Sequence, residues 1–425
     1  MQEKILRITA TTIIVGVDTA KDEHWARITD CRGVDLTKPI KVTNNIEGFD
    51  KLMTRIGKAC ATHGCNQVMI GMEPSGHYCR ALQWYLRIHP SQPVLVGVNP
   101  YHTKQAKELD DNSQTKSDKK DALVIAHLIR DGRYFDTYLP KGKYADLRVF
   151  NTERQRVMKE ISRAGNTIIA LTDEYFPEYG KLFENLLCPT SCEILRTAPF
   201  PSDVMAMNRD DLIALIRRVS NGAMGQKLAD SLMQAAANSV GVQEGKEAVR
   251  FRLGQLLESL TFHLKQKDAV EEQLNVVLKG MGLGDVLQSM PGIGPIIAAA
   301  FLGEVGDVSR FDTWKQVRKL AGLNLKENSS GKRKGKTSIT KRGRPYLRHM
   351  LYMAGETCLM HNDEMRQLYH YFRERSINPL KYNQAIVAVG LKVMRILFYM
   401  AKNNKAYDPN KALGDIRKAQ LSLLA

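Results

Sequence analysis

Two apolar runs near the N-terminus each end on a carboxylate, and that pattern restricts the fold more than any other feature of the chain. TIIVGV (12–17) runs into Asp18, and VMIGM (68–72) runs into Glu73. Short apolar runs of this kind suit strands buried on both faces. HWARIT (24–29) alternates polar and apolar, as a half-buried strand does, and VLVGV (94–98) is a further buried one. Helical patterns over 48–61 and 78–88 separate them. The spacing predicts an α/β domain whose central strands are covered on both faces. Adjacent parallel strands set Asp18 and Glu73 side by side, at the edge where open α/β sheets bind ligands.

After Tyr144 the period changes. Leu147, Phe150, Val157, Ile161, Ala164, Ile168, Leu171 and Tyr175 follow steps of three and four, with Arg154 at one seam position. Residues 249–278 repeat the pattern through Leu253, Leu256, Leu257, Leu260, Leu264, Val270, Leu274 and Val277. Two long amphipathic helices follow, either as a coiled-coil-like arm or packed inside one helical domain. Residues 188–245 between them are mostly helical in pattern, broken at Pro199 and Pro201. From Val286 onward the chain is helical except for one polar loop, 326–346. The expected division is an α/β domain at 1–143, a helical coiled-coil or oligomerisation region at 144–285, and a mainly α-helical domain at 286–425.

Lys and Arg number 62 against 45 Asp and Glu, a net charge of +17. A surplus of that size favours a polyanionic partner, because cationic side chains displace counterions from phosphate backbones. The loop 326–346 (KENSSGKRKGKTSITKRGRPY) concentrates it, with Glu327 as its one acid. The seven cysteines form no pair of CxxC motifs, so they read as scattered reduced thiols rather than a zinc site. The N-terminus lacks a signal-peptide core, and the apolar stretch 385–401 is broken by Lys392 and Arg395. A cytoplasmic protein without a membrane partner is expected.

Asp118 and Asp121, in SDKKDALVIAHLIR, share one face of a helix that Ser117 can cap. Taken singly, a strand-end acid is an ordinary turn former and an acid opening a helix complements its dipole. Together, Asp18, Glu73, Asp118 and Asp121 would repel one another without cations. With two Mg²⁺ they suit in-line displacement at phosphorus, a reaction that calls for hard oxygen ligands. PGIGP (291–295) reads as a tight turn between helices, either phosphate-facing or purely structural. Ser329 and Ser330 open the basic loop at NSSGKRKGK. A serine hydroxyl needs a base or metal to become a nucleophile, and a distant carboxylate site can supply that activation. GKRKGKT is not a P-loop, since Gly331 and Gly335 have three residues between them where that motif has four.

VGVDTAKDEH, GMEPSGHY, VGVNPYHTKQ and TKSDKKDALVIAHLI, with MPGIGPIIAAAFLGEVGDVSRF, LAGLNLKENSSGK and ITKRGRPYLRHMLYMAG, resemble the RuvC-like Asp-Glu-Asp-Asp transposases of bridge-RNA-guided insertion sequences, a family that includes the Piv-type invertases. The resemblance covers roughly 1–140 and 286–410. It implies a ribonuclease H-like first domain, a metal site of Asp18, Glu73, Asp118 and Asp121 taking Mg²⁺ or Mn²⁺, and Ser329 as nucleophile in preference to the adjacent Ser330. It further implies donor and target DNA, an element-encoded noncoding guide RNA, a homodimer or homotetramer, and a bacterial protein acting at the nucleoid. The site would be composite, the serine of one subunit meeting the carboxylates of another. Lys332, Arg333, Lys336, Lys341 and Arg342 are the expected phosphate-binding residues. Lys104, Lys107, Lys116, Lys119 and Lys120 either grip an RNA backbone or balance the acidic site. The rival readings are a hydrolytic nuclease or Holliday-junction resolvase, a Piv-like invertase, and a non-catalytic RNA- or DNA-binding protein built from a decayed enzyme, against which the presence of all four carboxylates argues.

Overall fold

The strand β1 (Thr12–Asp18) is buried from Thr12 to Val17 because helices cover both its faces. The computed structural model describes residues 2–74, 76–111, 118–326, 329–330, 333–334, 337–414 and 420, and separates into the units Met1–Leu139 and Pro140–Ala425.

The N-terminal unit begins with α1 (Gln2–Leu6), then β1, β2 (Glu23–Thr29), β3 (Ile40–Thr43), α2 (Ile46–His63), β4 (Gln67–Met72), α3 (Cys79–Ile88), β5 (Val94–Val98), α4 (Pro100–Asp111), α5 (Asp118–Arg130) and β6 (Tyr134–Asp136). The sheet order is β3-β2-β1-β4-β5-β6. β1 is antiparallel to β2 and parallel to β4, β4 is parallel to β5, and β6 closes the edge antiparallel. The expected α/β layering is present, with the addition of β3 and β6.

Side-chain parity along β1 divides the core. Ile13, Val15 and Val17 pack with Phe49, Leu52 and Ile56 of α2 and Leu82 and Leu86 of α3. Ile14 faces the other way, with Met69, Val96, Val124, Ile125 and Ile129. Gly16 lies on this second face, in register with Gly71 of β4. A Cβ on Gly16 would stand 2.0 Å from the Ala122 carbonyl oxygen and 2.6 Å from the Ala126 amide nitrogen. A Cβ on Gly71 would meet Ile129 at 2.3 Å. The two glycines therefore form a trough in which α5 rests directly on the strand backbones.

In the C-terminal unit, α6 (Lys143–Tyr175) and α11 (Lys246–Lys279) lie along each other. Leu147 packs with Leu274 and Leu278, while Ile168 packs with Leu253 and Leu257, so the pair is antiparallel. Arg154 pairs with Glu271 at 2.7 Å, which accounts for the charged seam position. Between them come a 3-10 turn and α7 (Pro189–Thr197), α8 (Pro201–Ala206), α9 (Arg209–Val219) and α10 (Gln226–Ala237), packed on one end of the pair. At the other end sit α12 (Leu283–Gln288), α13 (Pro295–Val305), α14 (Trp314–Ala321), α15 (Pro345–His361), α16 (Asp363–Glu374), α17 (Tyr382–Asn403) and α18 (Pro409–Ala412).

Among the described residues α17 is the one helix long and apolar enough to cross a membrane. Its Ala385, Ile386, Val389, Val393 and Leu397 are fully buried, and it crosses α15 closely. A Cβ on Gly390 would meet the Leu351 carbonyl oxygen at 2.3 Å, and one on Gly355 the Ile386 carbonyl oxygen at 2.8 Å. It is a core helix. The polar loop of the sequence reading is not wholly irregular: it contains the short strands β7 (Leu325–Lys326), β8 (Ser329–Ser330), β9 (Arg333–Lys334) and β10 (Ser338–Ile339).

Replacing Gly16 with Ala forces the helix off the sheet. We expect Gly16→Ala to lower the stability of the N-terminal unit by about 3 kcal/mol, the upper range for overpacking. Urea unfolding followed by the fluorescence of Trp25 and Trp84 reads this, and an unchanged midpoint would sink the account of the seat.

Candidate active site

Parity along β1 places the first carboxylate. Asp18, the last residue of β1, is two residues beyond Gly16 and shares its face, the one that receives α5, while Glu73 directly follows Met72, the last residue of β4. Val17 and Met72 are register partners in parallel strands, which leaves the strand ends level. On α5, Asp118 and Asp121 occupy the first turn, directly before Ala122 and Ala126. The helix that beds on Gly16 thus delivers its leading acids to Asp18.

One carboxylate oxygen each from Asp18, Asp118 and Asp121 lie within 4.8 Å of one another. Asp121 is only 5% exposed, Asp18 is half-buried and Asp118 is open to solvent. Glu73 is half-buried and stands outside this close trio, although its charge is felt at Asp18. Burial pushes the Asp18 carboxyl up to about 6, assisted by the negative charges of Asp121, Asp118 and Glu73 and opposed by Lys107. The cluster is therefore short of positive charge.

Its donors are all hard carboxylate oxygens. Opposite ligands of one Mg²⁺ stand roughly 4 Å apart, so the trio has the dimensions that a single divalent ion spans. The residues fit a metal of that class.

The helices α4 and α5 also carry lysines. Lys107, on α4, pairs through Nζ with Oδ2 of Asp121. Lys119 lies over the Trp25 ring, 4.7 Å from its centroid, and its carbonyl oxygen accepts a hydrogen bond from Arg27 Nη1 at 3.4 Å. In the sequence both belong to a tract that either grips an RNA backbone or balances the acidic site. For Lys107 the structure gives the charge-balancing role. Lys104 is exposed and Lys120 half-buried, while Lys116 and the proposed cap Ser117 lie outside the described residues.

The basic segment is a hairpin in two steps. β7 pairs with β10, Ser338 opposite Lys326, and β8 pairs with β9, Ser329 opposite Lys334 and Ser330 opposite Arg333. For Ser329, Ser330 and Arg333 the description is of the backbone, and Lys332 and Lys336 lie outside the described residues. Lys341 and Arg342 are exposed at the hairpin's exit. The root is held by main chain. Gly322 ends α14 in the left-handed region, at φ 69°. Thr340 donates to the Asn324 carbonyl oxygen at 2.7 Å, Lys341 to that of Gly322 at 3.0 Å and Arg344 to that of Leu320 at 2.8 Å. Lys341 sits at φ 55°, an uncommon backbone for a lysine. The Arg344 guanidinium reaches Glu304 of α13 at 3.4 Å as well as that residue's carbonyl oxygen. Burial lowers Arg344 to about 10, with Arg148 and Arg310 adding repulsion and Glu304 opposing both.

The PGIGP turn has a packing explanation. Gly292 adopts φ 91°, and a Cβ there would stand 2.8 Å from Cys358 Cα on α15. Its carbonyl oxygen accepts from Thr357 Oγ1 at 2.7 Å.

Two family models match the chain and together cover more than half of it. A transposase model of the Asp-Glu-Asp-Asp IS110 type matches residues 15–177, and one described as the IS116/IS110/IS902 transposase family matches residues 284–370. The first spans Asp18 to Asp121 and the second spans the hairpin. The chain is similar to the 44.8 kDa protein of insertion element IS116 of Streptomyces clavuligerus, at 24% identity over 93% of this chain and 96% of the relative. It is also similar to the 43.6 kDa protein of insertion element IS110 of Streptomyces coelicolor, at 26% identity over 71% of this chain and 74% of the relative. A transposase for insertion sequence element IS1111A of Coxiella burnetii is 27% identical over 37% of this chain and 44% of its own length.

Because Arg344 is half-buried and repelled by Arg148 and Arg310, deleting its carboxylate partner leaves an uncompensated charge. We expect Glu304→Ala to cost the C-terminal unit about 3 kcal/mol. Thermal unfolding of the variant beside Glu304→Gln measures it, and a wild-type melting temperature for Glu304→Ala would contradict the anchoring role.

Proposed function

Because the chain belongs to the IS116/IS110/IS902 family of insertion-sequence transposases, we propose that it cleaves and rejoins DNA strands through a phosphoserine formed on Ser329, with Asp18, Glu73, Asp118 and Asp121 holding divalent metal. The observation that carries this reading is the convergence of three carboxylates from a strand end and a helix start within 4.8 Å. The sheet, antiparallel through β3, β2 and β1 and parallel through β4 and β5, supports a ribonuclease H-like N-terminal unit.

In the proposed reaction the Ser329 hydroxyl loses its proton and Oγ attacks a DNA phosphorus. An Oγ–P bond forms as the P–O bond to the departing strand end breaks, and the departing oxygen takes up a proton to leave as a hydroxyl. A bound Mg²⁺ or Mn²⁺ would supply neutralising charge for the phosphate oxygens. The phosphoserine keeps the phosphodiester energy, so the reverse attack by a strand-end hydroxyl rejoins DNA without ATP. Lys332, Arg333, Lys336, Lys341 and Arg342 are proposed to hold strand phosphates beside the serine. The sequence carries no base-reading motif that we recognise, which suits specificity delegated to an element-encoded guide RNA pairing with donor and target DNA. We further propose that the active species is a homodimer or homotetramer in which one copy's Ser329 works with another copy's carboxylates.

Covalent trapping tests the proposal. Purified protein with its co-expressed RNA and Mg²⁺ is mixed with labelled donor and target DNA and resolved on a denaturing gel. We expect a protein–DNA adduct in the wild type and Ser330→Ala, and none in Ser329→Ala or Asp121→Asn. Metal-dependent cleavage that leaves no adduct and survives Ser329→Ala would make this a hydrolytic nuclease instead.

A further inference from the structure

Lys107 stands at the carboxylates yet has no part in the proposed chemistry. It lies on α4, which packs against α5, and its ammonium contacts Oδ2 of Asp121, the most enclosed carboxylate of the trio. The same charge acts on Asp18. A buried carboxylate without a partner is strongly unfavourable, and Lys107 satisfies Asp121.

That contact is also an obstacle. Asp121 Oδ2 cannot present its lone pairs fully to an ammonium and to a divalent ion at once, and the two cations would repel each other steeply at contact range. Lys107 is equipped to give way: 33% of its side chain is exposed, and a lysine stem can swing its ammonium into water without moving the helix. We propose that Lys107 is a resident counter-ion that competes with divalent metal for Asp121, supporting the fold at low metal and setting the concentration at which the site loads. This rests on reading Asp18, Asp118 and Asp121 as metal ligands.

The test is metal affinity in the full-length chain, read from the free Mn²⁺ signal in electron paramagnetic resonance. Melting temperatures in EDTA and in saturating Mg²⁺ accompany it. Wild type is compared with Lys107→Met, Lys107→Gln, Lys107→Arg and, as a control for net charge, Lys58→Met on the exposed side of α2. Removing the competing charge is expected to tighten Mn²⁺ binding roughly tenfold in the Met and Gln variants. Both should melt lower than wild type in EDTA and gain more from Mg²⁺. Lys107→Arg should stay near wild type, and Lys58→Met within about twofold. If Lys107→Met does not fold in EDTA, purification in Mn²⁺ followed by titration of the Gln variant gives the same comparison. Unchanged or weaker binding in the neutral variants overturns the counter-ion role while leaving the metal site intact. A wild-type chain that binds no Mn²⁺, or an Asp121→Asn variant that binds as well as wild type, overturns the metal reading and this inference with it.

Discussion

The seat of α5 on β1 at Gly16 is the contact on which the N-terminal site depends. A helix normally stands off a sheet by the length of the side chains between them. Here two adjacent glycines remove those side chains, and the small Ala122 and Ala126 face the gap. The helix descends to the strand backbone, and its leading acids descend with it. Asp18 then needs only the alternation of strand side chains to face them. The closeness of the acids is enforced by packing that lies one turn away, in apolar contacts among Ile14, Val124, Ile125 and Ile129. That arrangement lets the fold tolerate a repulsive cluster, because the apolar contacts that hold it are spatially separate from the charges.

The basic hairpin is anchored on a different principle. Leu325, at the start of its first strand, is exposed. Its root is fixed by amide-to-carbonyl bonds onto the end of α14 and by the Arg344 guanidinium on α13. Beyond that root, Lys341 and Arg342 at the hairpin's exit are exposed. The positive φ at Lys341 belongs to this anchoring, since its amide is the one that reaches the Gly322 carbonyl.

Much of the architecture was legible because burial leaves a strong trace in residue type. The runs ending at Asp18 and Glu73 announced central strands, and parallel neighbours put their ends level. β3 and β6 escaped notice because four and three residues are too few for alternation to register. The strands of the hairpin are two residues each and polar, so nothing in their composition distinguishes them from a loop. The spacing of Asp118 and Asp121 predicted their shared face, but not that Glu73 would stand apart from the close trio, which turns on side-chain direction past the strand end. Lys107 was equally invisible as an ion-pair partner: it stands fourteen positions before Asp121, and only the packing of two helices brings them together. The glycines before each carboxylate were the unused signal, since a small residue inside a buried strand marks a close approach.

The antiparallel course of α6 and α11 also bears on how the chain reaches this state. Leu147 and Leu274 share a core, yet the whole excursion through α7–α10 lies between them. Closing a flexible loop of that length costs about 4 kcal/mol in chain entropy. The excursion has its own apolar cluster, which ties Ile168 to Leu253 and Leu257 nearer its base. Once that cluster forms, the two long helices are stapled at one end and the remaining closure resembles the zipping of a hairpin. The topology thus favours an order of assembly, with the excursion first and the C-terminal core after it. Pulsed hydrogen exchange during refolding would show early protection in α9 and α10 if that order holds, and simultaneous protection in α13 and α15 if it does not.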